Sequence, residues 1–254
     1  MIIKKGKGES GKAPVLFIHG AWHGAWCWEK YFMKHFSQNG YDCYALNLRK
    51  HGTPGNVKGI NCVSIKDYVE DVKSAVDKIG RLPILVGHSM GGMILQKYLE
   101  KYECEKAVLM TSAPPRGSWI SSLKLLTKGY IHTSMLTLNS LGIVDTPEKA
   151  KWAFFSRGID KTELEEYSAK MSRESIRAML YMMLPSRIKI NFHKKVPMLV
   201  IGAENDKVVS ISDNKNTAKK YRAELRILPD IAHDMMLDIN HKSAAEAIIK
   251  WIEQ

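Results

Sequence analysis

The chain has 254 residues, 45% of them hydrophobic, and carries 38 Lys and Arg against 26 Asp and Glu, a formal net charge of +12. A chain of this length buries about three quarters of its unfolded surface, so it needs no disulfide or metal staple, and its hydrophobic content excludes a disordered polymer. No apolar run of about eighteen residues occurs and no signal-like stretch follows Met1, so the expectation is a soluble cytoplasmic protein without a membrane span.

Residues 13–18 form a short apolar run that ends at His19-Gly20 and reads as a buried strand. A helical pattern over 24–38 closes at Asn39-Gly40, a stop signal. Residues 41–48 read as the next strand, and 49–59, with Thr53-Pro54-Gly55, as a loop. Ser64 caps a helix to about Ile79, with Asp67 placed to complete a capping box. Then come a strand over 83–86, the turn Gly87-His88-Ser89-Met90-Gly91, a helix over 92–99 and a strand over 106–111.

The alternation breaks at Ala113-Pro114-Pro115, and to about Ile190 the pattern is helical, methionine-rich and basic. Strands resume at 196–202, followed by a helix over 213–221, a strand over 224–228 and a helix over 242–252. Alternating strands and helices imply an α/β fold with a mostly parallel sheet covered on both faces. About six strands are expected. Residues 1–113 and 191–254 read as the core, and 114–190 as a helical lid inserted after the sixth strand of the fold, over the ends of the strands where such sheets bind ligands.

Residues 115–195 hold fourteen Lys and Arg against seven Asp and Glu, which is +7 of the net +12. No block of five like charges occurs, so specific nucleic-acid binding is not expected. Solubility, attraction of an anionic substrate and weak contact with an anionic lipid surface all stay open. Cys27, Cys43, Cys62 and Cys104 lack C-x-x-C spacing and read as unpaired thiols. Phosphate loops, metal-ligand pairs and dinucleotide fingerprints are absent, so neither metal nor cofactor is expected.

The G-x-S-x-G turn lies between a strand and a helix, the context of a nucleophile elbow, and singles out Ser89. A serine hydroxyl needs a base to remove its proton. His233 lies in a loop after a late strand and is the best placed of nine histidines. Asp206, just past the strand at 196–202, is the carboxylate expected to orient it, with Glu204 and Asp234 as alternatives. The oxyanion donors expected are the backbone N–H groups of Met90 and Ala21. Trp22, His23 and Trp119 are candidates for the substrate pocket, and the apolar residues of the lid fit an acyl or aromatic group.

Taken together, His19-Gly20, Gly87-His88-Ser89-Met90-Gly91-Gly92, Asp206 and His233 resemble the α/β-hydrolase superfamily. The run from His19 to Trp28, His-Gly-Ala-Trp-His-Gly-Ala-Trp-Cys-Trp, looks like the opening of the plant methylesterase and hydroxynitrile lyase branch and its bacterial relatives. Hydroxynitrile lyases of that branch carry a lysine just after the catalytic histidine. This chain has His233-Asp234-Met235-Met236, a pattern more similar to bacterial esterases and lysophospholipase-like proteins. The resemblance implies cofactor-free cleavage of a small-molecule carboxylic ester through an acyl-enzyme. Lyase or C–C hydrolase chemistry on the same triad, and a slow-turnover ligand receptor, are the alternatives.

Overall fold

The computed structural model describes residues 1–8, 11–53, 58–117, 139–184, 188–189 and 196–254. Among these, one sheet contains β1 (Ile2–Lys4), β2 (Val15–Ile18), β3 (Cys43–Leu46), β4 (Ile84–His88), β5 (Ala107–Met110), β6 (Met198–Ala203) and β7 (Glu224–Leu228). Its order is β1-β3-β2-β4-β5-β6-β7. Six strands, β2 to β7, run parallel. The seventh, β1, pairs antiparallel with β3, Ile2 opposite Ala45, and lies outside the strands expected from sequence. Three residues carry too little periodicity to announce a strand; its partner supplies the order.

The period of two along each strand divides the core into two layers. In β2, Val15 and Phe17 join one apolar cluster, while Leu16 and Ile18 join the other. The first cluster is covered by α1 (Trp26–Glu29), α2 (Phe32–Gln38) and α9 (His241–Ile252). The Phe17 ring stacks on Trp28 at 4.9 Å and meets Phe36 edge-on at 5.2 Å. The second cluster is covered by α3 (Ile65–Ile79), α4 (Met90–Tyr98) and α8 (Ile211–Tyr221). A central strand buried on both faces is what the uninterrupted run Val15-Leu16-Phe17-Ile18 encodes.

The helix expected over 24–38 is two helices. Tyr31 leaves helical geometry at φ −124° and ψ −58°. The break lets Trp28 and the Phe32, Met33, Phe36 face of α2 all reach the sheet, while the Tyr31 ring stacks on His241 at 3.7 Å. By contrast, α3 begins as expected: Ser64 accepts from the Asp67 N–H, and Asp67 accepts from the Ser64 N–H at 2.8 Å.

Between β5 and β6, the described residues carry α5 (Pro147–Phe154), α6 (Lys161–Lys170) and α7 (Ile176–Met183), capped by Thr146, Asp160 and Ser175. Counted along this chain, the helical interruption thus follows the fifth strand. Much of the stretch, 118–138 with Trp119, lies outside the described residues. Residues flanking these helices are tied to the loop after β2. Trp22 donates from Nε1 to the Ser140 carbonyl at 3.0 Å, and the Ser172 N–H donates to the Trp22 carbonyl at 2.9 Å. Among the described residues, no helix is long and apolar enough to cross a membrane.

Candidate active site

The turn from β4 into α4 holds Ser89 at φ 52° and ψ −115°, a conformation L-residues rarely adopt. Strain of this kind persists only where the surroundings over-determine it. Here the Ser89 N–H donates to the Met110 carbonyl at 3.0 Å, and its carbonyl accepts from Gly92 and Ala113. Gly91 must lack a side chain, because a Cβ there would collide with the Ile18 and His19 carbonyls of the neighbouring strand end. The strain lifts the Ser89 hydroxyl above the sheet at the N-terminus of α4, where backbone N–H groups lack helical acceptors.

Gly20 performs the matching task in the loop after β2. A Cβ on Gly20 would lie 2.8 Å from His88 Nδ1 and 3.0 Å from Ser89 Cβ. The loop therefore passes against the serine and brings Ala21 to the same side. Its next residue, Trp22, is left-handed at φ 65°. Ala21 and the Met90 N–H, which opens α4, are thus on two backbones that meet at Ser89.

His233 reaches Ser89 from the segment after β7. His233 Nε2 lies 3.0 Å from Ser89 Oγ, and Nδ1 lies 2.8 Å from Asp206 Oδ2. Asp206 sits in the turn after β6, where its other oxygen accepts from the Val208 and Val209 N–H groups at 2.7 and 2.9 Å. That arrangement leaves Oδ2 aimed at the imidazole. Burial pulls the His233 imidazolium down, but the Asp206 charge and hydrogen bond, helped by Asp234, outweigh it, so His233 stands above its ordinary value. The backbone is fixed as well: the His233 carbonyl accepts from His88 Nε2 and Thr111 Oγ1, both at 3.1 Å. The Phe154 ring stacks on His233 at 5.8 Å.

The alternatives to Asp206 point elsewhere. Glu204 is exposed and faces the Asp230 N–H at 3.4 Å. Asp234 is fully buried and faces His23 and His88. Of the pocket candidates, Trp22 is half-buried against Phe154. His23 differs from the expectation of a pocket-lining side chain. It is 1% exposed, with Nδ1 2.7 Å from the Ala21 carbonyl and Nε2 2.9 Å from Asp234 Oδ2. A ring whose two nitrogens are turned to protein groups has no polar edge left for a ligand.

Sequence reasoning did not single out Asp238, His88 or Asp234 as structural anchors. Asp238 accepts from Ala232 N–H, Ser156 Oγ and Ile239 N–H, which clamps the residue before His233 to the end of α5. The available signal was two carboxylates four apart inside the apolar run Asp234-Met235-Met236-Leu237-Asp238. His88, His233 and Asp234 also bring potential ligand atoms within 4.8 Å of one another. Both His233 nitrogens and His88 Nε2 are already committed to the contacts above.

Comparison with known proteins agrees with this architecture. Residues 9–240 match the Hydrolase_4 family, described as serine aminopeptidase, S33. Phospholipase YtpA of Bacillus subtilis (strain 168) is 26% identical over 213 residues, 80% of this chain and 79% of that protein. Methylesterase 2 of Arabidopsis thaliana is 24% identical over 241 residues, 86% of this chain and 88% of that protein. The solved esterase EaEST from Exiguobacterium antarcticum superposes with a TM-score of 0.79 at 15% identity, covering 100% of this chain and 94% of its own. The chain belongs to the Hydrolase_4 family and is an esterase- and lipase-like hydrolase with the α/β-hydrolase fold.

Proposed function

We propose that the chain is a serine hydrolase that cleaves carboxylic esters through an acyl-enzyme on Ser89. The observation that carries this reading is the unbroken relay from Ser89 Oγ to His233 Nε2 at 3.0 Å and from His233 Nδ1 to Asp206 at 2.8 Å. His233 takes the serine proton as Oγ attacks the ester carbonyl, then gives it to the leaving alcohol. Asp206 fixes the tautomer and stabilises the imidazolium. The Met90 and Ala21 N–H groups take the oxyanion. Water, deprotonated by the same histidine, then releases the acid.

Residues 114–190 act in this reading as a cap whose inner side chains select the acyl or aryl group. Small apolar esters, lysophospholipids and monoacylglycerols are the substrate classes it fits. The relatives named as a phospholipase and a methylesterase support ester cleavage over lyase chemistry. Their names also support a small-molecule ester as substrate. The test is covalent labelling with a fluorophosphonate, located by mass spectrometry, followed by turnover of p-nitrophenyl esters of graded chain length. An adduct on Ser89, and turnover lost in Ser89→Ala, is the expected result. Labelling at another serine, or turnover that survives Ser89→Ala, overturns the assignment.

A further inference from the structure

Behind His233 lies a second buried carboxylate to which ester cleavage assigns no part. Asp234 Oδ2 lies 2.9 Å from His23 Nε2 and Oδ1 lies 3.5 Å from His88 Nε2. Neither oxygen has an aligned hydrogen-bond donor. A buried carboxylate left this way is costly unless charge partners compensate it. Burial pushes Asp234 up, yet His23, His88 and His233 around it outweigh burial and hold it below the ordinary carboxylate range. Its charge also reaches Cys27 of α1, whose thiol is driven well up by burial and by Asp234.

His23 takes its orientation from its neighbours. A carbonyl only accepts, so His23 Nδ1 donates to Ala21 at 2.7 Å. Burial and the nearby His233 push His88 down to about 3, so it is neutral and donates Nε2–H to the His233 carbonyl. Three segments of the candidate site therefore converge on one carboxylate. His23 holds the oxyanion loop at Ala21, His88 precedes Ser89, and Asp234 itself follows His233.

We propose that Asp234 and His23 are a positioning pair for acyl transfer, which ties the oxyanion loop to the base loop and adds a second negative charge behind the His233 imidazolium. The proposal rests on the reading of Ser89, His233 and Asp206 given above. His233 is faced by Asp206 from the β6–α8 turn, Asp234 on its own segment, and His88 and Ser89 from β4 and the elbow. Removing the Asp234 charge therefore leaves Asp206, among the described residues, as the one carboxylate acting on the imidazolium.

The experiment is the pH dependence of the fluorophosphonate labelling rate of Ser89, measured on the full chain and on Asp234→Asn, His23→Asn and the double variant. Absence of Ser89 labelling in the unsubstituted chain overturns the hydrolase reading itself. With labelling present, Asp234→Asn is expected to move the acid limb down by about one pH unit. It should also slow the plateau rate by about tenfold, through a looser oxyanion loop. His23→Asn keeps an amide donor for Ala21 but strands the carboxylate. It should lower the plateau rate, and adding Asp234→Asn should recover part of that loss. The double variant removes both members together and carries the test if a single variant does not fold; its acid limb should again lie below that of the unsubstituted chain. An unmoved acid limb in Asp234→Asn or in the double variant, or strictly additive rate losses, overturns the proposal.

Discussion

Glu174 offers a quantitative test of how the helical segment is anchored. Its side chain is fully buried at the start of α7. It accepts from Tyr68 Oη of α3 at 2.7 Å, from the Ser175 N–H at 2.7 Å, and from His51 Nε2 at 3.0 Å. His51 Nδ1 donates to the Arg49 carbonyl at 3.1 Å, so both ring nitrogens face acceptors. Burial draws His51 down, but the Glu174 charge and hydrogen bond, with smaller help from Arg49 and Asp71, raise it above its ordinary 6.5. Next to it, His19 is held neutral by burial and by His51, and its Nε2 accepts from the Leu48 N–H. Glu174→Ala would strand both the His51 Nε2–H and the Tyr68 hydroxyl. Breaking a buried pair from one side costs about 3–5 kcal/mol. For a chain of this size that is a fall in melting temperature of roughly 6–20 °C. Glu174→Gln keeps an acceptor for Tyr68 and Ser175 but gives up the charge, and should cost about 1–2 kcal/mol.

The pH dependence has a definite sign. His51 is raised in the folded state, so the stability it contributes is fully present below its unfolded value near 6.5 and is lost as pH rises through the folded value. The difference in stability between the unsubstituted chain and Glu174→Gln should therefore be largest in mild acid and shrink above neutral pH. His233 is also raised, while His19 and His88 are lowered. These groups titrate in both proteins and cancel in the difference. Urea unfolding across that pH range is the assay. A Glu174→Ala cost below about 1 kcal/mol, or a Gln difference that grows with pH, would refute the reasoning.

Asp206→Asn should leave the Val208 and Val209 contacts in place but remove the charge that fixes the His233 tautomer; kcat should fall by about 10⁴, while the melting temperature falls no further than in Glu174→Gln, read from ester turnover and calorimetry. Ser64→Ala removes one half of the α3 capping box, far from Ser89 in function; it should cost about 1 kcal/mol, lower the melting temperature by roughly 2–4 °C, and leave kcat/KM unchanged.

The fold was legible where order is local. The strands read over 13–18, 83–86 and 196–202, which the structure places at Val15–Ile18, Ile84–His88 and Met198–Ala203, and the Ser64 and Asp67 cap, are settled by residues within one turn or strand of each other. Chain order and strand ends then suffice to nominate Ser89, Asp206 and His233, because a parallel sheet brings the ends of successive strands to one edge. The strand β1 and the break at Tyr31 were not legible. Both depend on partners distant in sequence, β3 for one and His241 with Glu163 for the other.

The buried charges show the same boundary more sharply. His51 and Glu174 are 123 residues apart, and His23 and Asp234 are farther apart still. Alone, Glu174 between Arg173 and Ser175 reads as a solvated side chain, since a lone carboxylate is rarely fully buried. It becomes a core residue only when Tyr68, His51 and the Ser175 N–H converge on it. The same network reaches the candidate site. Ser140 Oγ donates to the Glu174 carbonyl and accepts from the Glu174 N–H, while the Ser140 carbonyl accepts from Trp22 Nε1 in the loop after β2. The helical segment is attached through these bonds. The hydrogen bonds that anchor it also hold the backbone that follows Ala21, so perturbing the anchor at Glu174 should lower kcat as well as stability.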